Sequence, residues 1–78
     1  MKKVYIIFTT DKWHSNESKT IEYVTKKLKT AIELIAEISK ERYGKELSKH
    51  DLYMLENKRQ TQGFDEETEY IIEEYNVI

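Results

Sequence analysis

Residues 20–25 read TIEYVT, and whether they form a strand or the first turns of a helix decides the fold. Six residues rich in β-branched and aromatic side chains suit a strand. The same residues also open a helical stripe, because Ile21, Val24, Leu28, Ile32, Ile35 and Ile38 recur at three- and four-residue intervals. A single helix from about residue 18 to Tyr43 is more than twice the average of roughly 11–12 residues. It also leaves two strands, which are marginal as a sheet unless a helix covers them. The balance favours a strand over about 19–25 and a helix over about 26–43. Gly44 then stands where a left-handed C-terminal cap belongs.

The flanking segments follow from local chemistry. In KKVYIIFT, Val4, Ile6 and Phe8 point to one face and Tyr5, Ile7 and Thr9 to the other. Both faces carry apolar bulk, so this strand is central. LSKHDL starts a second helix: Ser48 is the N-cap, Asp51 replaces the usual Glu of a capping box, and Leu47 and Leu52 stand at hydrophobic-staple spacing. Leu52 and Leu55 are expected to face the core, with the helix fading near Arg59. QTQG turns the chain, with Gly63 supplying a backbone conformation other residues resist, and EYIIEEYNVI forms the last strand. The expected architecture is one α+β domain over residues 1–78, a small three-stranded, mostly antiparallel sheet with two helices on one face (ββααβ).

Composition narrows the function classes. A chain of 78 residues buries only about 60–65% of its unfolded surface, so disulfides, a metal or oligomerisation commonly support it. There are no cysteines, and His14 and His50 lie at no ligand spacing, so a homodimer is the expected support. No cofactor or metal is expected. The apolar run VYIIF is too short for a secretory signal, and no stretch approaches membrane-spanning length, which points to a cytoplasmic protein without membrane contact. The net charge is −2, so a basic footprint for direct DNA binding is missing. Six of the fifteen acidic residues, and none of the thirteen basic ones, lie in residues 60–78. The carboxylates Glu69, Glu73 and Glu74 read either as guards that keep an edge strand soluble or as an acidic face that imitates phosphates.

VYIIFTTDKWHS, TIEYVT running into KTAIELI, DLYMLENKRQTQG and the closing YIIEEYNVI together resemble a group of short uncharacterised proteins from bacterial and phage genomes. The resemblance covers most of the chain. Its most specific parts are the TTDxWHS-type loop and the QTQG turn, and the chain departs from the pattern at Glu22-Tyr23, where an apolar residue and a glycine are expected. It implies a strand at 19–25 and a phage or mobile-element origin.

Asp11, His14 and Ser15 hold the letters of a catalytic triad, but they lie within five consecutive residues, whereas a triad needs side chains converging from separate segments. Two glycines leave no phosphate-cradling loop. A non-enzymatic binding site suits the stretch better. Trp13 offers a flat apolar face with one N–H donor, and Thr10, Asp11, His14, Ser15 and Asn16 surround it with directional polar groups. An antiparallel last strand brings Gln60, Thr61 and Gln62 to the same end, where Lys12, Lys19, Lys58 and Arg59 add positive charge. The alternative is that Trp13 folds back as a lid on the core while Asp11 and Ser15 cap turns. The expected function is capture of a nucleotide-like ligand, in the manner of a phage product that sequesters a defence signal. The competing expectation is a protein-interaction module that blocks a host or defence protein through its acidic face.

Overall fold

VYIIF runs through the middle strand of a three-stranded antiparallel sheet. In the computed structural model, which describes residues 2–77, β1 (Lys2–Thr10) lies between β2 (Thr20–Thr25) and β3 (Glu69–Val77). Helices α1 (Leu28–Tyr43) and α2 (Lys49–Lys58) stand between β2 and β3 in the chain, which makes the fold α+β. Residue 78 of the expected last strand lies outside the described residues. α1 begins two residues later than the expected start near residue 26, because Lys27 still has extended backbone and its carbonyl receives the first helical bond, from Ala31.

TIEYVT is a strand with a bulge, and the bulge explains its double reading. Tyr23 pairs with Ile7 and Ile21 with Phe8, so Glu22 is an extra residue opposite the step from Ile7 to Phe8. One extra residue breaks the two-residue alternation, and it sets Ile21 and Val24 on the same face, opposite Phe8 and Ile6. A three-residue apolar spacing that imitates a helix is thus produced inside a sheet. Glu22 turns to the other face, where it accepts from Thr9 Oγ1 at 2.9 Å and from Arg42 of α1 at 2.7 Å. The bulge therefore gives α1 a polar anchor on the sheet.

Ile7, Tyr70 and Ile72 share one sheet face by register, and they cluster with Ala31, Ile35 and Ile38 of α1, Leu55 of α2 and Phe64. Phe64 meets Tyr43 and Tyr70 edge-on, at ring separations of 5.8 and 5.1 Å. The core is small, and α2 adds little apolar surface to it. Leu52, expected in the core, is exposed, because α2 turns Leu55 into the core cluster and leaves Leu52 lining a concavity with Leu47 and Ala36.

Both helix ends behave as their local chemistry requires. Gly44 adopts φ 63° and returns its N–H to Lys40 O, a left-handed cap that costs glycine least. Ser48 accepts from the Asp51 N–H at 3.1 Å while Asp51 Oδ2 accepts from the Ser48 N–H at 3.0 Å. Beyond α2, Arg59 turns left-handed at φ 62°, and its guanidinium donates back to the carbonyl of Glu56. This sharp exit returns the chain along β3, where the Thr61 N–H donates to Tyr70 O at 2.9 Å and the Ile72 N–H to Arg59 O at 2.7 Å. No helix among the described residues is long and apolar enough to cross a membrane.

Candidate functional site

The loop after β1 is organised by one carboxylate. Asp11 Oδ1 accepts from the N–H groups of Trp13, at 3.0 Å, and Ser15, at 3.1 Å, while Oδ2 accepts from Ser15 Oγ at 2.8 Å. Hydrogen bonds from the Ser15 N–H and hydroxyl, the two largest influences, hold the Asp11 carboxyl below its ordinary 3.8. Ser18 Oγ receives the Asp11 N–H at 2.9 Å and donates to Ser15 O, closing the loop on a short 3₁₀ turn at Asn16–Ser18. Asp11 and Ser15 therefore fold the loop inward on itself rather than offering free polar groups to a ligand. Thr10 is likewise buried, its hydroxyl donating to Asp11 O at 2.9 Å.

Such bracing leaves the indole outside. Trp13 is 74% exposed, so it is no lid on the core. Lys12 Nζ lies 4.5 Å from the centre of its ring, close enough for a cation–π contact on that face. Asn16 and Gln62 are exposed nearby in the chain segments that carry the loop and the turn.

The two expected segments do meet. His14 Nε2 lies 2.8 Å from Thr61 O, and because a carbonyl only accepts, Nε2 carries the proton in that bond. His14 holds φ 56°, an uncommon conformation for a residue with a Cβ, and the Asp11 scaffold together with the Thr61 bond maintains it.

Thr61 and Glu69 form a buried polar centre beneath this contact, which the reading of the sequence did not single out. Thr61 Oγ1 donates to Glu69 Oε1 at 2.7 Å and accepts from the Tyr70 N–H at 2.8 Å. Glu69 also accepts from the N–H groups of Gly63, at 2.7 Å, and Phe64, at 3.2 Å. A carboxylate can sit in a buried position when donors satisfy its oxygens, and here three donors do so. The conformation of QTQG follows: Gly63 takes φ 76° so that its N–H can point at Glu69. Thr61 is thus committed to the fold, and Gln60 lies half-buried in a bridge with Ile71.

Two of the expected cations, Lys19 and Arg59, are engaged as well. Lys19 pairs with Glu73 and spans the Phe8 ring at 4.9 Å, while Arg59 caps α2 and approaches Glu74 at 3.9 Å. The acidic strand is accordingly no free acidic face. Glu69 is buried, Glu73 is tied to Lys19 and Tyr75, and Glu74 to Lys3 at 3.1 Å. Lys19 and then Tyr75 keep the Glu73 carboxyl below its ordinary 4.5, and Lys3 does the same for Glu74. Among the described residues, no three His, Cys, Asp or Glu side chains gather as a metal site would require. No protein-family model, curated protein or solved structure matches the chain.

Proposed function

We propose that the protein is a non-enzymatic binding module that inserts Trp13 into the surface of a partner protein. The observation that carries this reading is an indole 74% exposed on a loop whose backbone is fixed by Asp11. A rigid exposed tryptophan loses little freedom on binding and presents a large apolar area, the combination found at interface hot spots. Of the polar groups expected around a ligand, Thr10, Asp11, Ser15 and Thr61 are instead used to hold the loop and its neighbouring turn. The charge pairs of β3 likewise favour Trp13 over an acidic face as the point of contact. In this reading the chain is a cytoplasmic product of a phage or mobile element that blocks a host or defence protein. Its architecture is the two-layer ββααβ unit, with both helices over the Ile7–Ile72 face and Trp13 at one end.

A nucleotide-like ligand is the second reading, and one contact favours it. Lys12 beside the indole puts a positive charge next to a stacking face, which suits a base with a phosphate attached. Two measurements separate the readings. Capture from a host lysate by the wild-type chain, lost with Trp13→Ala, supports the protein partner. Titration heat with a nucleotide panel, reduced by both Trp13→Ala and Lys12→Ala, supports the ligand. Binding of either kind that survives Trp13→Ala removes Trp13 from the function.

A further inference from the structure

The face of the sheet turned away from the core cluster is largely apolar, with the Lys19 side chain lying over Phe8. Val4, Ile6 and Phe8 line its centre and Ile71 one side, none of them within the core cluster. Its margins are more open still: Ile21 is 61% exposed, Val24 59%, Tyr75 49% and Val77 43%. The first two stand on β2 and the last two on β3, at opposite edges of the sheet. We propose that two copies of the chain pack with these faces together, forming a two-fold homodimer with a second, intermolecular core.

Charge selects a second copy as the occupant. Glu73 is the carboxylate in the middle of this face, and on its own chain it pairs with Lys19 and accepts from the Tyr75 hydroxyl at 2.5 Å. The middle of the face, where that pair is closed, meets its own image without like-charge cost, while Lys2, on the same face through its pairing with Val77, stands at one end. Lys2, Lys3 and Lys26 surround a concavity of about 490 Å³ at the end of the sheet remote from Trp13. Superposing those ends from two copies would bring the lysines together, so the two-fold axis runs across the strands and sets them apart.

Size and placement agree with this choice. At a strand spacing of about 4.8 Å and a rise of about 3.3 Å per residue, the face projects to roughly 400 Å². Each partner of a standard interface contributes roughly 600–1,000 Å² of accessible surface, so the whole face, and not one edge of it, is needed to approach that size. Pairing through one sheet edge would cover either Ile21 and Val24 or Tyr75 and Val77, and only face packing covers both sets. The dimer also supplies apolar burial to a chain with eight buried core hydrophobic residues among the described ones.

Sedimentation equilibrium at high micromolar concentration tests the proposal. The wild-type chain is expected at twice its 9.4 kDa mass, and Val24→Lys or Tyr75→Lys at the monomer mass with an unchanged far-ultraviolet spectrum. Trp13→Ala, outside the face, should stay dimeric. Because the chain has no cysteine, two single-cysteine variants give a check that does not depend on how the lysine variants fold. With a bis-maleimide that spans the roughly 10 Å between packed sheets, cross-linking of Val24→Cys well above that of Lys45→Cys supports the interface, and equal cross-linking overturns it. A wild-type chain that sediments at 9.4 kDa, or folded Val24→Lys and Tyr75→Lys variants that stay dimeric, also overturns it. In the first case the face belongs to a different protein, and in the second the dimer forms elsewhere.

Discussion

His14 donates to the carbonyl of Thr61, 47 residues further along the chain, and so ties the Trp13 loop to the turn that leads into β3. Loss of a partly buried neutral hydrogen bond costs about 0.5–1.5 kcal/mol, which is the expected loss for His14→Ala in urea unfolding. His14→Gly loses the same bond but relieves a left-handed backbone, a gain of about 1 kcal/mol. The glycine variant is therefore expected to be the more stable of the two. The reverse order would show that φ 56° carries no strain worth relieving.

Thr61→Val keeps the shape of the side chain and removes its hydroxyl. Glu69 Oε1 then lacks a donor and the Tyr70 N–H an acceptor, and an unsatisfied buried polar group costs about 1–3 kcal/mol. A loss in that range is expected at an unchanged urea m-value, with Thr61→Ser recovering most of it. Equal stability of the valine and wild-type proteins would remove the buried polar centre from the account of this end of the fold.

Local chemistry made much of this legible in the sequence. The left-handed cap at Gly44, the reciprocal bonds of Ser48 and Asp51, the central position of VYIIF and the turn at Gly63 each depend on neighbouring residues. The bulge at Glu22 was not legible, because one inserted residue turns strand periodicity into an apparent helical spacing of Ile21 and Val24. The exposure of Leu52 is not legible either, because its spacing from Leu55 says nothing of which residues of α2 reach the core. At the site, the meeting of the TTDKWHS and QTQG segments followed from strand direction. The inward turn of Thr61 and Glu69 did not, because it depends on hydrogen bonds made within a tertiary turn.

Trp13→Ala is expected to lower stability by less than about 1 kcal/mol, as other exposed substitutions do. Wild-type emission should lie near that of tryptophan in water, since the ring is 74% exposed. A blue-shifted spectrum, or an unfolded variant, would show the indole buried in solution.

Acid should weaken the fold through carboxylates held below their ordinary values. Asp11 is lowered by Ser15, Glu22 by Arg42, Glu73 by Lys19 and Glu74 by Lys3. A carboxyl lowered in the folded state binds its proton more tightly when unfolded. The stability it contributes is therefore present above its unfolded value and is lost as pH falls through the folded one. Melting temperature should hold from neutral pH to near the ordinary glutamate value of 4.5 and decline below it. Glu22→Gln, which lacks the Arg42 pair, should show a shallower decline in that range, and an equally steep curve would count against the anchor.

Alkali should act through Tyr70, whose hydroxyl burial pushes from 10.0 up to about 12 against a smaller opposing effect from Ser39. A tyrosine raised in the folded state keeps its contribution below its unfolded value and loses it as pH rises through the folded one. Stability should thus fall between pH 10 and about 12, and Tyr70→Phe should remove part of that slope. Ultraviolet titration that finds all six tyrosines ionising together near 10.0 would contradict the burial of this ring.

Because β1 is the middle strand, its two partners arrive by very different routes. β2 follows after one loop, whereas β3 comes from the far end of the sequence, setting Val77 beside Lys2. Bringing distant segments together carries a larger closure entropy and slows folding. The β1–β2 hairpin and α1 can therefore organise early, while the rate of folding rests on the docking of β3. Glu69 and Tyr70 arrive with that strand, and they fix Thr61, which in turn receives His14. The loop that displays Trp13 is thus completed only when the last strand is seated, and its rigidity marks a finished fold.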